Sequence, residues 1–350
     1  MSNDSIESDA EKILNNAEIL SELGELAKKQ SALLDLSMCD PPLFGHTLHS
    51  SILARIDNLV PSQYAGYAIG TGDLELRKSL SQRIQEFTGF SLPANKIVLT
   101  NGVSEGFELV FDAVFHFQPG SVAIPEPTYL PLVFQANRFA KVWFYSCREE
   151  IDWNPDIDAL SRSLESQPDT RAIILINPNS PTGAVYSEQT LKELVNLAGQ
   201  YNLTMITNEI YDAISFDRFY SLLQCAAEVP VIYLNGFSKV FRLPGYRIGY
   251  LGWYDPKNAS TDVWERIISL SRMRLGTSPL SQEIAKIALQ EPLEGLKAFV
   301  QTVRERMEFL AQQLESIEGI TVVPAKGSTY IFPKLEIDDK LVAKHLLREY

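Results

Sequence analysis

Soft metal ligands are scarce in this chain: 350 residues include four histidines and three cysteines. His46 and His49 lie close together, but His116 and His345 stand alone, so no tetrahedral ligand set assembles from spacing and a metalloenzyme is not indicated. Cys39, Cys147 and Cys225 are odd in number and widely separated. They fit neither a disulfide framework nor a zinc pattern, and read as reduced thiols of a cytoplasmic protein. No run approaches the ~18 apolar residues that suggest a membrane span. The polar, acidic start Met1 to Glu11 resembles neither a secretory signal nor an Arg-rich transit peptide. Positive charge is also in deficit: 31 Lys and Arg against 44 Asp and Glu leave a formal charge of −13. That field repels nucleic acid and anionic lipid, so any anionic ligand must be held by local donors. No fixed-period repeat is present, which argues against a solenoid.

What is present suits a globular protein: 45% hydrophobic and 21% charged residues, and enough length for a large domain plus a smaller one. Residues 1 to about 35 read as helical, with Ile13, Leu14, Ile19, Leu20, Leu23 and Leu26 spaced for one face. Short apolar runs then alternate with amphipathic stretches. Strands are expected at Ile97–Thr100, Val122–Ile124, Ala172–Ile176, Thr204–Thr207, Val231–Leu234 and Ile248–Leu251, with helices such as Glu105–Phe117 and Thr190–Gln200 between them. That alternation predicts an α/β fold with a mostly parallel sheet. The C-terminal third reads as a separate α+β lobe. Its expected elements are a long helix over Ser281–Ile317, a strand at Ile320–Val323, a turn at Pro324–Gly327, a strand at Thr329–Phe332 and a helix over Leu341–Tyr350.

Five of the strands run straight into polar clusters. In an open parallel sheet ligands bind beyond the carboxyl ends of the strands, so these clusters point to one shared site. Thr100-Asn101-Gly102-Val103-Ser104-Glu105 is a strand–turn–helix start whose free amides can bind phosphate, although an ordinary capped helix reads the same way. Pro125-Glu126-Pro127-Thr128-Tyr129 can present Tyr129 as a flat surface for a heterocycle; a core tyrosine is the plainer alternative. Asn177-Pro178-Asn179-Ser180-Pro181-Thr182-Gly183 can continue neither strand nor helix and offers a stiff loop of hydrogen-bonding groups. Asn208 and Tyr211 lie three apart after the next strand and can face one ligand, although an Asn helix cap beside a core tyrosine reads the same way. The last cluster, Ser238 to Gly249, holds Lys239 and Arg247. An amine kept inside a folded sheet is costly unless used, and its use would be to form a Schiff base with an aldehyde, although taken alone a surface lysine is the plainer alternative. Arg247 can grip a phosphate bidentately.

In this order and spacing the clusters resemble the class I/II aminotransferases, which are fold type I enzymes dependent on pyridoxal 5'-phosphate (PLP). The phrases Ala172–Tyr186 and Asn235–Gly249 are most similar to the alanine aminotransferase branch. The resemblance covers about Leu33 to Leu335. It implies a large domain with a mostly parallel, seven-stranded-type sheet over residues 49–285. A small domain would be built from 286–350 together with the N-terminal segment 1–48. It also implies a cytoplasmic homodimer moving an amino group between an L-amino acid and a 2-oxo acid.

By position, Lys239 would carry the cofactor as a Schiff base and shuttle protons. Arg247, Ser238, Val103 and Ser104 would hold its phosphate. Tyr129 would stack on the ring, Tyr211 would hydrogen-bond the ring's phenolic oxygen, and Asn179, Ser180 and Asn208 would complete the cofactor shell. Tyr67 matches the tyrosine that reaches the phosphate in the neighbouring subunit. Cys39 and Asp40 fall in the turn that covers substrate, and Tyr330 forms the small-domain wall of the pocket.

Three departures stand out. The family has aspartate at the place of Asn208, where the carboxylate keeps the pyridine nitrogen protonated and the ring a strong electron sink. An amide there favours the pyridinium far less. Ser180 stands where asparagine usually precedes Pro-Thr-Gly. The arginine that binds the substrate carboxylate is expected beyond Tyr350, past the end of the chain. Together the first two leave room for a second reading, a PLP-dependent lyase or cyclase of specialised amino-acid biosynthesis, for example on an arginine-derived substrate.

Overall fold

A computed structural model describes residues 19, 21–29 and 38–349. Residues 21–27 are helical as expected, while most of the anticipated N-terminal helix, including Ile13, Leu14 and Leu20, lies outside the described residues.

The main sheet has eight strands: β1 (Ile97–Thr100), β2 (Ser121–Glu126), β3 (Lys141–Arg148), β4 (Asn154–Pro155), β5 (Thr170–Ile176), β6 (Thr204–Asn208), β7 (Val231–Gly236) and β8 (Gly249–Tyr254). Their spatial order is β1-β8-β7-β6-β5-β2-β3-β4. β3, β2, β5, β6 and β7 are parallel in succession, whereas β8 runs antiparallel to both β7 and β1, and β4 antiparallel to β3. Helices cover both faces, which explains why β5, β6 and β7 read as unbroken apolar runs; β6 and β7 are buried at every position. From β2 the chain winds outward to β3 on one side and through β5, β6 and β7 on the other. The crevice between β2 and β5 is therefore the topological switch point, the expected place for a ligand.

Four expectations are corrected. The sheet has an eighth strand, the two-residue β4, and β3 was missed because its Val-Trp-Phe-Tyr run is bounded by charged ends. The long helix over Ser281–Ile317 is two helices, Pro279–Ala288 and Leu293–Glu315. Pro292 separates them, since it can donate no backbone bond and disfavours the helical state in the residue before it. Thr329–Phe332 is not a strand; β10 (Pro333–Leu335) begins just beyond and pairs antiparallel with β9 (Ile320–Val322). The chain before Thr329 has already spent its backbone groups on the large sheet's loops. Lys326 N–H donates to Gly183 at 2.9 Å, Phe216 N–H donates to Lys326 at 2.7 Å, and Ser328 N–H donates to Ile214 at 2.9 Å. That tether draws Tyr330 over the sheet edge and delays pairing until Pro333.

Candidate active site

A cavity of about 260 Å³ opens at the carboxyl edge of the parallel strands. Lys239 enters it from the loop after β7, and its Nζ donates to the carbonyl of Cys39 at 2.8 Å and lies 6.0 Å from the Tyr211 ring centre. Tyr211 and Asn208 arrive from the end of β6, Ser180 from the loop after β5, Tyr129 from the loop after β2. The backbone N–H of Cys39 donates to the Tyr330 hydroxyl at 2.9 Å, so residues 291 positions apart close over the same opening.

Val103 and Ser104 lie in the first turn of helix Gly102–Phe115, where amides have no partner within the helix. Gly102 sits at φ +77, and a Cβ there would come within 2.5 Å of an Arg247 guanidinium nitrogen. Opposite it, a Cβ on Gly249 would approach the Val103 nitrogen to 2.8 Å. These two glycines let strand β8 and the Arg247 side chain close against the helix start. The result is a bare helix N-terminus with a guanidinium beside it, an arrangement suited to phosphate even in a protein of strong negative charge.

Burial sets the electrostatics. The Tyr211 hydroxyl is pushed well above its usual pKa, first by burial and then by its neighbours Cys39 and Tyr330, so it stays protonated. Burial also raises Tyr129, with Arg247 pulling the other way. Below the pocket floor, Arg83 binds both carboxylate oxygens of Asp212, at 2.8 and 2.9 Å. Asn235 donates to the same carboxylate at 2.8 Å and to Tyr233 at 2.7 Å. This network fixes the turn that carries Tyr211.

The structure brings Lys239, Arg247, Ser238, Val103, Ser104, Tyr129, Ser180, Asn208, Tyr211, Cys39, Asp40 and Tyr330 to one cavity. Asn179 does not reach it: its Oδ1 accepts from the Thr182 amide and hydroxyl at 3.2 and 2.8 Å, stiffening the loop from inside. Tyr67 also stands apart, 88% exposed. Sequence reasoning missed Phe107, Ile176 and Ile210. Phe107 follows Val103 by one helical turn and was findable on that spacing; Ile176 ends β5 and is indistinguishable from core by type. A second cavity, about 570 Å³, is lined by Asn202, Leu203, Val229 and Pro230, at the amino ends of β6 and β7 and away from these groups.

Fold and cavity together define an α/β enzyme with an amine at the carboxyl edge of its sheet and an anion cradle beside it. Comparison with known proteins narrows this: residues 31–350 match the family described as aminotransferase class I and II. The chain is 30% identical over 348 residues to the glutamate–pyruvate aminotransferase AlaA of Escherichia coli K12, covering 95% of this chain and 84% of that one. It is 33% identical over 332 residues to the alanine aminotransferase of Mycobacterium bovis, covering 91% and 76%. The solved alanine aminotransferase of Pyrococcus furiosus superposes with a TM-score of 0.85 at 32% identity, covering 92% and 81%. The chain belongs to the class I and II aminotransferase family. It is a transferase of the alanine aminotransferase branch, and nothing in these comparisons favours the elimination or cyclisation alternative.

Proposed function

We propose that the protein binds PLP through Lys239 and moves the amino group of a small L-amino acid, alanine by the names of its relatives, to a 2-oxo acid. The observation that carries this reading is the Lys239 amine in a pocket whose other end is a helix N-terminus beside Arg247. One further feature fits the cofactor: the Asn208 side chain is buried and lines the cavity.

When bound, PLP supplies an electron sink that makes the substrate Cα proton removable. The chain's own residues do the rest. Val103 and Ser104 amides, Ser238 and Arg247 anchor the phosphate and so fix the ring's position. Tyr129 stacks on one ring face. The protonated Tyr211 hydroxyl donates toward the phenolic oxygen. Lys239 Nζ, at the amine end of the pocket, would serve as the base that moves the proton at the substrate Cα. Cys39, Asp40 and Tyr330 close over the substrate and exclude water.

We assign residues 49–285 to the large domain, and 286–350 with the segment before 49 to the small one. Three unpaired thiols suit a cytoplasmic enzyme. A homodimer is part of this reading, since the Tyr67 ring, exposed in the single chain, suits a neighbour's phosphate site.

The test is borohydride reduction of PLP-loaded protein followed by peptide mass mapping. The adduct is expected on Lys239, and Lys239→Ala should lose both the adduct and roughly 10²–10⁴-fold in pyruvate formation from L-alanine. An adduct at any other lysine overturns the assignment.

A further inference from the structure

Asn208 ends β6 on the pocket floor with 6% of its surface exposed. Its side-chain oxygen accepts from the backbone N–H of Ile210 at 3.2 Å. A backbone N–H can only donate, so this bond fixes which way the amide faces: oxygen inward on the turn, Nδ2 into the cavity. No acceptor for Nδ2 exists among the described residues. The same Asx turn could be made by aspartate, with one carboxylate oxygen on Ile210 and the other facing the pocket. Asparagine keeps the turn and reverses the sign of the pocket-facing group.

This bears on the proposed cofactor, and the inference rests on that reading. In PLP the ring nitrogen lies para to the carbon joined to Lys239, so it sits at the far end of the ring from the amine. A protonated ring nitrogen is a donor, and facing Nδ2 it would bury two donors against each other, an arrangement that costs the desolvation of both. Among the described residues no carboxylate is placed to relieve this. Glu209 turns to the opposite side, where its Oε1 accepts from the Leu222 N–H at 2.8 Å, and Asp212 is held by Arg83. Asp40 follows Cys39, whose carbonyl takes the Lys239 amine, so it enters at the amine end. We infer that Asn208 donates a hydrogen bond to an unprotonated ring nitrogen, so that this chain holds its cofactor as a neutral pyridine.

The test uses the full chain loaded with PLP carrying ¹⁵N in the ring, read by nitrogen NMR and, in parallel, by mass mapping of the reduced adduct. The wild type is expected to show the resonance of a bare pyridine nitrogen near neutral pH, and Asn208→Asp that of a pyridinium. Asn208→Ala, which removes the donor, should weaken PLP binding by roughly 2- to 10-fold. A pyridinium signal in the wild type, with the adduct on Lys239, overturns this inference and leaves the cofactor reading standing. A bare pyridine in both wild type and Asn208→Asp removes Asn208 as its cause. No adduct on Lys239 overturns the cofactor reading and this one with it.

Discussion

Glu209 holds a carboxyl group with no exposed surface: one oxygen takes bonds from the Leu222 N–H and the Thr207 hydroxyl, the other has no partner among the described residues. Burial pushes its pKa up to about 8, so the folded protein keeps a proton there at neutral pH. The unfolded chain releases that proton near the ordinary value of 4.5. A raised folded-state pKa means the stability is full below the unfolded value and is lost as pH climbs through the folded one. Glu209→Gln carries no proton to lose. Thermal unfolding followed from pH 4.5 to 8 should show the wild type falling progressively behind the variant, reaching a few degrees by the upper end. A constant gap across that range would mean the carboxyl is ionised throughout. Asn208, one position earlier, projects to the opposite face. The last residue of β6 and the residue just past it thus serve the pocket and the support beneath it, by the alternation an extended chain imposes.

At the scale of elements, the helix starting at Gly102 depends on a residue without a side chain. Gly102→Ala places a Cβ in left-handed backbone, which costs ~1 kcal/mol or more. It also pushes the Arg247 guanidinium off the helix N-terminus. Titration of the apoprotein with PLP should show affinity falling roughly 10- to 100-fold, the worth of one or two hydrogen bonds to a charged group. Unchanged affinity would remove Arg247 from the phosphate cradle.

Elements of this kind were legible in the sequence because parallel strands buried on both faces are short apolar runs, and each ends abruptly in the polar cluster it presents. What could not be read was decided by contacts between distant segments. Asn179 and Ser180 are neighbours of similar polarity, and only the loop's internal bonds turn the first inward and leave the second facing the cavity. Thr329–Phe332 has the composition of a strand but is pulled out of pairing by the bonds that Gly183, Ile214 and Phe216 make to residues 326–328. Phe107 carried a helical-spacing signal; Ile176 and Ile210 carried none.

On the whole-molecule scale, Tyr67, Ile69, Met273 and Leu275 are all more than half exposed, and Gly70 and Gly276 bring their two segments into backbone contact. Apolar exposure of this kind suits a second copy of the chain. If Tyr67 serves the neighbour's phosphate, Tyr67→Ala and Lys239→Ala proteins complement each other. Mixing them under conditions of subunit exchange should restore activity that neither parent has, because one mixed site contains both intact residues. Failure of exchanged heterodimers to recover activity would place Tyr67 outside the neighbouring site.

The bond from Cys39 to the Tyr330 hydroxyl joins segments 291 positions apart across the opening. A growing polypeptide therefore leaves the ribosome with its lysine, its asparagine and its phosphate cradle already made, yet with no roof over them until residue 330 emerges. On the proposed reading the covering bond is the last part of the pocket to be synthesised, after every residue that would hold the cofactor.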